Sequence, residues 1–139
     1  MKYHETPVKV RFNEVDSYNV AWHGHYVAWM EVGRNDLAGM FGVNAEQIGA
    51  LGYLAPVVSL ELQFRKPARF DEPLLVRTSV RRTHTATLEF VCTIVGADGV
   101  ICAEGKTVHV LTDRNGVLQY RLPPVIDERL EDLMTFMEV

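Results

Sequence analysis

Gly24-His25-Tyr26-Val27-Ala28-Trp29-Met30-Glu31-Val32-Gly33-Arg34-Asn35-Asp36-Leu37-Ala38-Gly39-Met40 is the stretch that decides the architecture. Tyr26, Trp29, Met30, Gly33, Leu37, Met40 and then Phe41 recur at three- and four-residue spacing, the period of a helical face. Val27, Val32 and Ala38 add apolar character elsewhere on the circumference, and polar residues are few: Glu31, Arg34, Asn35 and Asp36. A helix this apolar is expected to be enclosed on several sides. Gly39 and Gly42 mark its end.

Around this helix the period changes to two. Residues 7–14 alternate Val8, Val10 and Phe12 with Lys9, Arg11 and Asn13, which predicts a half-buried strand. Residues 45–52 suit a short helical turn. Residues 56–66 put Val58, Leu60, Leu62 and Phe64 on one face and Ser59, Glu61, Gln63 and Arg65 on the other. Pro67 and Phe70-Asp71-Glu72-Pro73 interrupt that run. Strands are expected over 74–82, 86–96 and 100–112, with a hairpin turn at Ala97-Asp98-Gly99 and another turn at Asp113–Gly116. Pro123-Pro124 opens a last helix with Val125, Ile126, Leu130, Leu133 and Met134 as its apolar stripe. Hairpin-linked strands make an antiparallel sheet. One sheet and one apolar helix bury each other when the sheet curls around the helix. The expectation is a single α+β domain over residues 1–139.

The composition narrows function by exclusion. With 139 residues, 47% hydrophobic, the chain suits one domain with a core. A net charge of −4 argues against nucleic acid as partner, since phosphates call for a basic face. The first residues carry no apolar run of a signal peptide, and nothing approaches a membrane span. Cys92 and Cys102 then read as free thiols in a reducing cytoplasm. His23 and His25, two apart, cannot share a helical face, so no metal site is expected. The serine-hydrolase elbow, phosphate-binding loop, dinucleotide fingerprint and zinc-protease motif are all missing from the sequence.

The loop before the helix holds the chemistry-bearing residues: Glu14, Asp16, Asn19, Trp22, His23 and His25. A helix N-terminus offers unpaired backbone N–H groups and roughly half a positive charge. Such groups can hold a carbonyl oxygen as it becomes an oxyanion. Asp16, seven residues before His23, could face the same point and attack the carbonyl carbon or take a proton from water. An Asp before a helix equally serves as a cap, and the residues alone leave both open. Trp22 offers either packing surface or a platform for substrate. Asn19 suits a left-handed turn position.

The run Val10-Arg11-Phe12-Asn13-Glu14-Val15-Asp16 through Trp22-His23-Gly24-His25-Tyr26, with Glu31 and Arg34 in the helix, resembles the signature of the 4-hydroxybenzoyl-CoA thioesterase family. It looks closest to the bacterial acyl-CoA thioesterases associated with the Tol-Pal system. Phe64-Arg65-Lys66-Pro67-Ala68-Arg69 is similar to that family's strand-ending segment, and the likeness runs over nearly the whole chain. The resemblance implies a hotdog fold, an antiparallel sheet wrapped around one long helix, assembled as a homodimer or homotetramer with active sites at the dimer interface. It implies hydrolysis of an acyl-CoA thioester without a cofactor. Asp16 takes the position of nucleophile or general base, and His23 the position whose backbone N–H polarises the thioester carbonyl. Three positions depart from the family: Asn19 stands for Gly, Val15 for Thr and Phe12 for Tyr. Asn and Gly both tolerate positive φ, so these changes bear on substrate choice more than on reaction type.

For the CoA phosphates the candidates are Arg81 and Arg82 with Thr83 and His84 beside them, then Lys66 with Arg69. The arginine fork matches phosphate oxygens in pairs. Ser59, Glu61, Asn19 and Trp22 are the remaining substrate-binding candidates. The competing readings are an acyl-carrier-protein thioesterase, a non-catalytic acyl-binding protein and a hotdog hydratase. The last disagrees with the spacing of Asp16, Asn19 and His23.

Overall fold

The computed structural model describes residues 2–83 and 86–138; His84 lies outside them. The chain runs β1 (His4–Lys9), a 3₁₀ turn (Phe12–Glu14), α1 (His23–Gly39), α2 (Ala45–Ala50), β2 (Tyr53–Leu54), β3 (Val57–Phe64), β4 (Pro73–Arg82), β5 (Leu88–Val95), β6 (Ile101–His109), β7 (Thr112–Asp113) and α3 (Pro124–Glu138). Five strands form one antiparallel sheet in the order β1-β4-β5-β6-β3, and β2 pairs with β7. No helix among the described residues is long and apolar enough to cross a membrane.

Tyr26, Trp29, Met30, Gly33, Leu37 and Ala38 are the buried face of α1. The first half of that face meets Val10, Ala68, Leu74, Val76, Cys92, Ile94, Cys102 and Ala103. The second half meets α3 through Ile126, Leu130, Leu133 and Met137, so the C-terminal helix closes the far end of the sheet. Gly33 lets α1 approach β4: a Cβ there would fall 2.6 Å from Val76 Cγ1 and 2.7 Å from Thr78 Oγ1. On the edge, Asp36 Oδ2 accepts from Thr6 Oγ1 at 2.7 Å and lies 2.7 Å from His4 Nε2, tying α1 to β1.

Three expectations need correction. The first strand spans His4–Lys9, not 7–14. Glu14 Oε1 accepts from Arg11 N at 2.7 Å and closes a 3₁₀ turn that stops the strand, leaving Phe12 80% exposed. The helix α1 is covered by its own chain on one side only, with Val27 36% and Val32 47% exposed. The apolar face of β3 is open too: Val58, Leu60 and Phe64 are exposed, and only Leu62 packs on the core. β3 is a sheet edge, and it follows β6 with an irregularity between Val57 and Ser59.

Two glycines test this packing. Gly33→Ala should cost about 1–3 kcal/mol by overpacking the α1–β4 contact. Gly49, inside α2, has nothing within 4 Å of a built Cβ, so Gly49→Ala should instead stabilise by roughly 0.5–1 kcal/mol. Opposite shifts in the urea midpoint check both.

Candidate active site

Trp22 stands at the N-cap of α1 with an extended backbone, and no side chain caps the helix. No acidic residue occupies the first turn. His25 N donates to Trp22 O at 3.0 Å, but the N–H groups of His23 and Gly24 meet no acceptor among the described residues. The dipole of a 17-residue helix therefore ends on open backbone donors. The Trp22 indole lies across this end. Its ring is 4.8 Å from that of His23 and 5.5 Å from that of His25. A Cβ on Gly24 would come within 2.0 Å of it, so a larger residue there requires the indole to shift.

The preceding loop is held from both sides. Ala21 N donates to Ala68 O at 2.8 Å, and Ala68 N donates to Tyr26 Oη at 3.0 Å, so Ala68 ties the loop to the helix. Trp22 N donates to Glu14 O at 2.9 Å. Glu14 itself is 2% exposed and accepts from Trp29 Nε1 at 3.1 Å as well as from Arg11 N. Burial pushes its carboxyl up, but hydrogen bonds from Arg11 and Trp29, with the Arg11 charge, outweigh it and hold the pKa below its ordinary 4.5.

Between these anchors the chain makes a small hairpin. Val15 bridges Ala21, Asp16 N donates to Val20 O at 2.9 Å, and Asn19 N donates to Asp16 O at 2.9 Å. Asn19 has φ of 62°, the left-handed conformation expected of it. Asp16 is half-buried, and its Oδ1 accepts from Tyr18 N at 2.8 Å. It is therefore not the cap of α1.

Beside the helix end lies a cleft of about 220 Å³, lined by Val20, Ala21, His23, Tyr26, Phe64, Arg65, Lys66 and Pro67. Tyr26 and Phe64 meet edge to face at 5.0 Å, and His23 lies 6.5 Å from Phe64. Of the residues chosen from sequence, His23 and Lys66 border the cleft directly. Asp16 and Asn19 sit on the hairpin whose returning arm, Val20-Ala21, forms one wall, and the Asp16 side chain is not among the lining groups. Lys66 also pairs with Asp98.

The other candidates lie elsewhere in the chain. Ser59 and Glu61 alternate with Leu62, so they face away from α1; Glu61 pairs with Lys106 at 3.8 Å on that outer face. Arg81 and Arg82, adjacent on β4, point to opposite faces. Arg81 is exposed, whereas Arg82 binds Asp127 and Glu131 of α3. Arg69 pairs in backbone with Val20.

Residues 10–130 match the Thioesterase-like superfamily. The sll0410 protein of Synechocystis sp., provisionally named an esterase, is 32% identical over 131 residues, covering 93% of this chain and 79% of that one. The acyl-CoA thioester hydrolase YbgC of Escherichia coli O6:H1 is 25% identical, covering 77% of this chain and 80% of its own. The crystal structure of a DHNA-CoA thioesterase from Staphylococcus aureus superposes with a TM-score of 0.88 at 23% identity, covering 98% of this chain and 93% of that one. The chain belongs to the Thioesterase-like superfamily.

Its α+β sheet-and-helix structure is the hotdog fold of that superfamily. Within this thioesterase-like chain, sequence reading undervalued Glu14, Tyr26 and Phe64. Glu14 was visible as an acid in a loop, but its burial depends on Trp29, fifteen residues on. Tyr26 and Phe64 looked like core, and both also wall the cleft.

Removing the indole donor tests the Glu14 anchor. Trp29→Phe leaves a buried carboxylate one partner short and should cost about 1–3 kcal/mol in denaturant unfolding. Because the folded pKa of Glu14 is depressed, its stabilisation is whole above the unfolded value of 4.5 and is lost as pH falls below it. Glu14→Gln should therefore flatten the decline of Tm on acidification through that range.

Proposed function

We propose that this protein hydrolyses acyl-CoA thioesters, giving a free carboxylic acid and CoA thiol. The observation that carries the reading is the uncapped N-terminus of α1, which opens on an aromatic-walled cleft beside the hairpin of Asp16. The thioester carbonyl oxygen accepts from the His23 and Gly24 N–H groups, which stabilise it as negative charge develops. The Asp16 carboxylate acts at the carbonyl carbon, either as nucleophile or by deprotonating the attacking water. The C–S bond then breaks, and the CoA thiolate leaves and is protonated; on the nucleophilic route water then hydrolyses the Asp16 mixed anhydride, releasing the acid and restoring the carboxylate. Trp22 covers the reacting end, and Asn19 fixes the turn that carries Asp16. Lys66, at the cleft, is the cation best sited for the nucleotide end; Arg81 remains open to phosphate, and Arg82 is spent on α3.

The working form is a homodimer joined along β3, within one hotdog domain per chain. An exposed edge carrying Val58, Leu60 and Phe64 is the kind of surface a second strand covers. In an antiparallel β3 pair centred near Leu60, the second copy's Pro56 and Val57 come beside this chain's Phe64, at the open side of the cleft. A site that needs this copy accounts for Asp16 standing back from the cleft in a single chain. Free, buried Cys92 and Cys102 suit a reducing compartment, and we assign the enzyme to the cytoplasm.

Thiol release measured over a chain-length panel of acyl-CoA esters tests the activity. Asp16→Asn should lower kcat by roughly 10²–10⁴ with the assembly intact. Saturable acyl-CoA binding without turnover in the unmutated protein would establish a non-catalytic binder instead. Turnover on acyl carrier protein thioesters alone would shift the substrate, not the chemistry. Leu60→Glu places two like charges at the proposed seam. Light scattering should then give the monomer mass, with activity lost in parallel.

A further inference from the structure

Eleven residues beyond His23, about 16 Å along α1, lies a cation that the fold leaves poorly paired. The Arg34 side chain is 16% exposed, and its one ion pair is a 3.7 Å approach to Glu31 Oε1. No hydrogen bond satisfies its guanidinium among the described residues. Burial lowers its pKa, with Glu31 acting the other way, which reflects the cost of keeping a charge where water is scarce.

The guanidinium opens on a cavity of about 60 Å³ between α1, α2 and the β5–β6 side of the sheet. Val43, Ile48 and Phe90 give it apolar walls, while Asn35 and Asn44 bring amide groups. No acidic residue lines it. Among the described residues His109 is the remaining titratable neighbour. Its ring nitrogens meet Ala55 O at 2.9 Å and Thr107 Oγ1 at 3.0 Å, and burial pushes its pKa down, so it is neutral at pH 7. The positive charge on this cavity thus comes from Arg34 and is unneutralised within it. A smaller, wholly apolar hollow adjoins, sharing Ile48, Ala55, Leu88 and His109 with the first.

We propose that this cavity binds a small organic acid as its anion, with the Arg34 guanidinium gripping the carboxylate and the alkyl end turned toward Ile48, Ala55 and Leu88. The planar arginine fork matches a carboxylate in two parallel hydrogen bonds. A cavity of about 60 Å³ has room for several water-sized groups, which suits a short-chain acid. A phosphate would need further donors or a second cation, and the cavity lining supplies one cation. A carboxylate is also the product class of the proposed hydrolysis. That connection rests on the hydrolase reading; the binding itself does not.

Propionate is the probe, with sodium chloride and phosphate at matched ionic strength as controls. Thermal unfolding and amide NMR titrations are read on the unmutated protein, Asp16→Asn, Arg34→Gln and Arg34→Lys. We expect a saturable rise in Tm with propionate alone, and amide shifts at Asn35, Ala38, Val43 and Ala45. Asp16→Asn should bind equally well. Arg34→Gln should bind at least about tenfold more weakly, the loss expected of hydrogen bonds to a charged group. If Arg34→Gln does not fold, Arg34→Lys carries the comparison, since it keeps the charge and loses the fork. Equal stabilisation by chloride, unchanged affinity in the Arg34 variants, or shifts centred on His23 and Gly24 would each overturn the proposal. Propionate binding in a protein that turns over no thioester would leave this site standing and remove only its link to hydrolysis.

Discussion

A buried carboxylate organises the end of the fold where α1 begins. An ionised Glu cannot sit at 2% exposure unless its oxygens are occupied, and Glu14 meets that demand with Arg11 N and Trp29 Nε1. The consequences follow in order. Capturing Arg11 N ends β1 and turns the chain. Binding Trp29 fixes that turn against the second turn of α1. The Glu14 carbonyl then takes Trp22 N and decides where α1 begins. Glu14 is turned inward. Asp16 is engaged with Tyr18 N. The first residues of α1 are left with donors facing outward, and what looks like an omission in capping is a result of how the loop is pinned.

The rest of the chain makes that end precise in position while leaving it open to one side. Ala68 receives Ala21 N and donates to Tyr26 Oη, so the segment after β3 holds the loop and helix in fixed relation. Arg82 with Asp127 and Glu131 fastens α3 over the other end of the sheet. Between these two closures lie the free outer edge of β3 and a half-bare α1. Their exposed Val58, Leu60, Val27 and Val32 are aliphatic, where an exposed sheet edge in a monomer is usually guarded by charge. The outer face of the same sheet is treated differently, with Lys106 set between Glu61 and Glu89. Polarity thus separates a charged outer face from an aliphatic one, the face along which we propose that a second copy joins.

The sequence was most legible where one periodicity ran without interruption. The α1 stripe from Tyr26 to Leu37, the hairpin strands β4 to β6 and the last helix after Pro123 fall close to where their patterns put them. Asn19 at positive φ was readable because few residues tolerate that conformation. Errors came where a distant partner overrides local pattern. Phe12 continues the alternation of Val8 and Val10, yet Glu14 folds the chain before it can join the sheet. Arg81 and Arg82 look like one basic pair in a linear reading. On a strand, neighbours point to opposite faces, and the acids that claim Arg82 lie more than forty residues later. Ser59 and Glu61 were correctly separated from the apolar face of their strand. In the chain's own fold they lie on the face turned away from α1, which the alternation alone does not reveal.

One helix therefore carries positive potential at two places by different physical means. At His23 and Gly24 it comes from backbone donors that cannot be mutated away, so it persists in every sequence that keeps the helix uncapped. At Arg34 it comes from a side chain bordering a small, largely apolar cavity, and it disappears with that residue. The first suits a charge that exists only during reaction, because fixed dipoles need no rearrangement as it forms. The second suits a full, lasting negative charge, since a buried guanidinium gains most from a partner that neutralises it completely. The division fits the two roles proposed for α1, an oxyanion in passage at one end and a settled carboxylate farther along it.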